Sequence, residues 1–133
     1  MATVRCEIVL RLPPARVWAA VRDFGAVDRM VPGFLTGCRP EPGARVVTFG
    51  NGLVARELLV ALDDAAQRLV WSVHGTSLTH HNGAMQVRAD GPHARVEWTA
   101  DLLPDAAAPT VRGMMEESLQ VMRRTLEAGA GPG

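Results

Sequence analysis

VRGMMEESLQVMRRTL, residues 111–126, is the stretch on which the fold turns. Val111, Met114, Met115, Ser118, Met122 and Leu126 recur at three- and four-residue steps, one face of an α-helix. Glu116, Glu117, Gln120, Arg123 and Arg124 fall mostly on the other face. The apolar stripe holds three methionines and a serine where leucines would be usual. Methionine is flexible and polarisable, so it lines adaptable surfaces as well as cores. A plain core helix is one reading, and one wall of an apolar cavity is the other. What precedes the helix decides between them.

Working back from the helix, residues 93–103 alternate as a strand, and residues 104–109 lead on from it. Asp90-Gly91 is a tight hairpin signal, and residues 79–89 form the strand before it. Residues 67–74, 53–62, 45–49 and 34–39 are further strands, separated by Gly75 to Ser77, Asp63-Asp64, Gly50-Asn51-Gly52 and a Pro40, Pro42, Gly43 turn. At the N-terminus, residues 3–11 alternate as a half-buried strand. Pro13-Pro14 ends it and suits the start of a helix. That helix carries Val17, Trp18, Val21 and Phe24 at helical spacing, a further short turn covers residues 27–31, and Pro32-Gly33 breaks it. Gly129 is expected to cap the long helix, and residues 130–133 are expected to be loose.

The order is strand, short helix, about six antiparallel strands, long helix. Such a meander has one apolar face to cover, and one long helix to cover it with. The sheet must therefore curl around the helix. The predicted class is α+β, a single domain over residues 1–133 with its ordered part near 3–128.

Composition narrows the function. Fourteen basic residues balance fourteen acidic ones in 133, and no basic stripe suggests nucleic acid. No apolar run approaches the roughly 20 residues of a membrane span. MATVRCEIVLRL has charges inside its apolar part, unlike a signal peptide. With Cys6 and Cys38 the only cysteines, a reducing cytoplasm is expected, both thiols being read as small buried hydrophobes. The basic residues are all arginine, and tyrosine is absent. This excludes a Schiff-base lysine or a tyrosine acid. No phosphate loop or dinucleotide fingerprint is present, and no cofactor is expected.

This order resembles the helix-grip superfamily: START lipid-transfer domains, the birch-pollen allergen fold, polyketide cyclase/dehydrase-like proteins of bacteria and, distantly, plant abscisic acid receptors. The matching residues are Ala15-Arg16-Val17-Trp18 with Asp23-Phe24, Val31-Pro32-Gly33 leading to Phe34 and Cys38, Arg56-Glu57 running to Asp63-Asp64, Glu97-Trp98, and the final helix. Their order and spacing over residues 3–128 carry the likeness. The resemblance implies a cavity lined by alternating strand positions. Glu57, Trp71, Val73, His81, Met85 and Glu97 would point into it, with Met114, Ser118 and Met122 opposite. It also implies a gate loop over the mouth at Phe49 to Gly52, including Asn51, and a second mouth loop at Gly75 to Leu78. Pro32 stands where the hormone receptors have a ligand-anchoring lysine, so the receptor role is not expected.

Three candidates carry chemistry. Glu57 shares a strand face with Ala55, Leu59 and Ala61, but Leu58, Val60 and Leu62 are equally apolar. Alternation leaves both orientations open, and the resemblance turns Glu57 inward. A carboxylate there must be protonated, paired or holding a ligand. His81 shares a face with Gly83, Met85 and Val87; it is either a satisfied core histidine or a group for proton exchange near neutral pH. His80 points the other way, His74 and His93 have no ligand spacing, and no metal site is expected. Glu97 is contested. Val96, Trp98, Ala100 and Leu102 look buried, which turns Glu97 out unless a bulge reverses it. Ser118 would bond its own helix or orient a ligand.

The expected function is binding of a small hydrophobic or aromatic ligand. A cofactor-free cyclase, aromatase or dehydratase is the alternative, with Glu57 and His81 as acid/base pair and Glu97 assisting. A third reading is a homodimerising module using Val54, Leu58 and Val60.

Overall fold

The structure, a computed structural model, describes residues 1–129. The looseness expected of residues 130–133 lies outside that range. Strand β1 (Ala2–Leu10) leads into α1 (Pro14–Val21), then α2 (Val27–Met30). Strands β2 (Leu35–Glu41), β3 (Ala44–Phe49), β4 (Val54–Asp63), β5 (Arg68–His74), β6 (His80–Asp90) and β7 (His93–Leu103) follow, and α3 (Ala108–Gly129) closes the order. Among the described residues the strands make one sheet in the order β1-β7-β6-β5-β4-β3-β2, with every pairing antiparallel. This is the helix-grip architecture, a curved sheet around a long C-terminal helix.

Local chemistry sets the ends of these elements. Pro14 opens α1 with its ring at the first helical turn. The helix stops at Val21, earlier than the apolar spacing suggested, and Phe24 begins a separate short turn. Gly91 takes φ +59° in the two-residue link between β6 and β7, a conformation open to glycine at little cost. Gly129, expected to cap α3, is itself helical.

Strand β4 answers the ambiguity over its two apolar faces. Its pairing with β5 slips between Leu59 and Ala61. Val60 is the extra residue of a bulge and is 60 % exposed. Before it, Ala55 and Glu57 are buried and Leu59 packs on the core; after it, Leu62 does so. Each alternative was right for one half of the strand. A bulge bends and twists the strand that carries it, and this one helps the sheet curl.

At the β1–β7 end, Val4, Leu10, Val96, Ala100 and Leu102 are fully buried in one core with Met115, Leu119 and Met122 of α3, which packs on β1. Leu119 was outside the expected stripe, so the apolar face of α3 is wider than the spacing indicated. Beside it α1, which packs on β6 and β7, is tied to the β4–β5 turn. Trp18 Nε1 donates to Asp64 Oδ1 at 2.9 Å, and Arg22 reaches both oxygens of that carboxylate, at 2.8 and 3.2 Å. Cys6 is buried as expected, whereas Cys38 on the edge strand β2 is only half-buried.

Candidate functional site

Between α3 and the concave face of the sheet's second half lies a cavity of about 430 Å³. Trp71 and Val73 of β5 and His81 and Met85 of β6 line it from the sheet. Met114, Ser118 and Met122 line it from α3. Phe49 and Asn51 line it as well, with Leu53 and the Thr76 to Leu78 loop. Asn51 Oδ1 accepts the Leu53 amide at 3.0 Å, and Phe49 meets Phe34 edge-on, with ring centroids 5.8 Å apart. The structure thus brings together all the expected wall residues except one.

That one is Glu97. The pairing of β7 runs without a slip against both β1 and β6. Alternation that buries Val96 and turns Trp98 to the cavity therefore turns Glu97 to the outer face. There its carboxylate meets Arg5 at 3.2 Å and Arg88 at 3.1 Å. The expected inward acid is part of an external charge ladder, and the bulge that would have turned it inward lies in β4 instead.

Glu57 does face the cavity, and it is paired. Its Oε1 accepts from Arg45 Nε at 2.7 Å, with side-chain exposures of 10 % and 4 %. Arg45 was not anticipated. It shares the inner face of β3 with Val47 and Phe49 and stands opposite Glu57 in the β3–β4 register. That alternation was readable in residues 45–49, but an arginine in the middle of it reads as solvent-facing until its partner strand is known. Arg45 Nη1 donates to the Phe24 carbonyl at 3.1 Å. The guanidinium carbon lies 3.9 Å from the Phe24 ring centroid and 5.5 Å from that of Trp71. Stacking of this kind suits a desolvated guanidinium.

Trp71 is held in turn by Gly83, directly across the β5–β6 pairing. A β-carbon at Gly83 would stand 2.6 Å from the indole atoms Cε2 and Cζ2 of Trp71, so the ring position requires glycine. Trp98, also unanticipated in the wall, packs against Trp71 with centroids 5.9 Å apart, and its Nε1 is buried without a partner. His81 sits where burial disfavours the imidazolium, and His80 adds repulsion. Its pKa is held below the usual 6.5, so the ring is neutral at pH 7 and can accept or donate a proton. The cavity is an apolar chamber with one charge pair and one neutral imidazole in its wall.

Such a chamber, between a gripping sheet and a single long helix, defines a cavity protein of the helix-grip class. The chain belongs to the polyketide cyclase / dehydrase and lipid transport family, whose sequence pattern matches residues 1–127. A solution structure from Thermobifida fusca is similar at 30 % identity and TM-score 0.72, over 96 % of this chain and 91 % of that one. A START superfamily protein from Mycobacterium smegmatis shares the fold at 16 % identity and TM-score 0.71, covering 95 % and 94 % of the two chains. The di-domain ARO/CYC BexL of the BE-7585A biosynthetic pathway matches at 14 % identity and TM-score 0.84; 99 % of this chain corresponds to 48 % of that one. No curated protein matches the sequence. Family membership supports a ligand-binding or a cyclase role. Among the described residues no helix is long and apolar enough to cross a membrane.

Proposed function

We propose that the chain is one ligand-binding domain that takes a small, largely apolar molecule into the cavity, as a carrier or binding protein. The observation that carries this reading is the Arg45–Glu57 pair in an otherwise apolar wall. A buried ion pair contributes little net stability, because desolvation offsets its attraction, and well-packed hydrophobic residues would often do as well. Polar groups set in an apolar pocket fix the orientation of a ligand. Trp71, Val73, Met85, Met114 and Met122 supply apolar contact, Phe49 and Asn51 control entry, and Ser118 offers a hydroxyl. Native mass spectrometry of the freshly purified chain, followed by solvent extraction, tests this. A retained apolar molecule is expected. A bare chain that also takes up no apolar dye would refute it.

A cyclase or dehydratase is the second reading, favoured by a neutral His81 in the same wall as the Glu57 carboxylate. The two would act as acid and base without a cofactor. Glu57→Gln and His81→Ala separate the readings. A carrier loses affinity by about ten-fold per hydrogen bond. An enzyme keeps most of its binding and loses roughly 10²- to 10⁴-fold in turnover. Self-association would use the exposed Val54 and Val60, between which Leu58 is half-buried. A sedimentation coefficient that rises with concentration would reveal it.

A further inference from the structure

The charge pair has two unused atoms. Arg45 spends Nε on Glu57 and Nη1 on the Phe24 carbonyl, and Glu57 spends Oε1 on Arg45. Arg45 Nη2 and Glu57 Oε2 have no hydrogen-bond partner among the described residues. Neither atom is sealed in protein, since among the described residues the one buried side-chain nitrogen or oxygen without a partner is Trp98 Nε1. Both side chains are nearly inaccessible, and both line the cavity. The wall therefore presents one donor and one acceptor, from a pair with no net charge.

Three kinds of ligand head can be weighed against that arrangement. A carboxylate would bring a second anion to a guanidinium that Glu57 already neutralises, in a site of low dielectric. Like charges so placed are strongly disfavoured. Arg45 is the one arginine in the cavity wall among the described residues, and the chain has no lysine to supply another cation. An ammonium group meets the converse problem beside Arg45. An uncharged head with its own donor and acceptor leaves the pair intact. It accepts from Nη2, donates to Oε2 and satisfies both unused atoms.

We infer that the Arg45–Glu57 pair is a head-group site for uncharged ligands, selecting an apolar molecule whose polar end sets a donor beside an acceptor, such as a hydroxyl next to a carbonyl or a primary amide. The same pair excludes carboxylates. This rests on the reading that the cavity takes a ligand. It also implies that Glu57 is the residue that rejects anions, since without its charge Arg45 is an unpaired guanidinium suited to a carboxylate.

Matched probes test it: 2-naphthamide, 2-naphthoate and the headless 2-methylnaphthalene, titrated calorimetrically into the full chain near neutral pH. The wild-type chain should bind the amide at least about ten-fold more tightly than the acid. Glu57→Gln, checked for folding by circular dichroism, should reverse that order. If 2-methylnaphthalene binds but amide and acid are equal, or the acid is preferred, the head-group inference is overturned while the cavity reading stands. If none of the three binds, both are overturned. Should Glu57→Gln fail to fold, the wild-type comparison of amide and acid decides alone.

Discussion

Arg45 and Glu57 are each tolerable inside because the other is there. Removing one partner of a buried pair strands a charge and costs about 3–5 kcal/mol. Arg45→Met should therefore destabilise the chain by that order in urea unfolding, and adding Glu57→Leu should recover most of it. If the single and double variants unfold at the same midpoint, the pair is not coupled. His81 gives a pH signature of defined sign. Its folded-state pKa lies below 6.5, with burial the main cause and His80 second. As pH falls below about 6.5 the unfolded chain takes up a proton before the folded one does, so stability declines from there to the folded-state pKa. Between about pH 7.5 and pH 5, His81→Gln should lose less stability than wild type; equal losses would mean His81 is not desolvated. At Gly83 even a methyl group has no room beside Trp71. Gly83→Ala should cost about 1–3 kcal/mol, and by pushing the indole toward the cavity it should reduce the largest ligand accepted.

At the scale of elements, α3 does two jobs along one face. Met114, Met115 and Met122 all border the cavity; Met115 and Met122 are almost wholly buried, while Met114 is partly exposed. Met115→Ala should cost about 2–5 kcal/mol, as truncations in a packed core do. Met114→Ala should cost distinctly less, because its side chain is already partly exposed, and it should enlarge the cavity. Equal losses would argue that Met114 is packed as tightly as Met115. Strand β4 combines roles too. The stretch before its bulge presents Glu57 to the cavity, and the stretch after it returns Leu62 to the core. Periodicity showed that this segment was a strand. It could not show the bulge, because a single extra residue among apolar neighbours changes no composition. On β7 the reverse held. The alternation of Val96, Trp98, Ala100 and Leu102 read correctly, and the family likeness pointed Glu97 the wrong way.

For the molecule as a whole, the sheet is filled at the β1–β7 end and hollow toward β3–β6. A ligand that binds the folded chain alone must stabilise it by mass action, by about 2.7 kcal/mol at a hundred times its dissociation constant. The apolar probes above should raise the thermal midpoint accordingly, and Arg45→Met should reduce that rise for the amide more than for 2-methylnaphthalene. An unchanged midpoint at saturating probe would contradict binding in the cavity. The resemblance to the helix-grip superfamily supplied most of the cavity's apolar wall; by itself the sequence determined the element order and the curled sheet around one helix. These follow from periodicities of two and near four residues, which are local properties of the chain. Tertiary structure alone decided that Arg45 faces inward, that it meets Glu57, and that Glu97 is spent on the outer surface. A charged side chain's direction depends on which partner strand register offers it, and register is fixed only when distant segments pair.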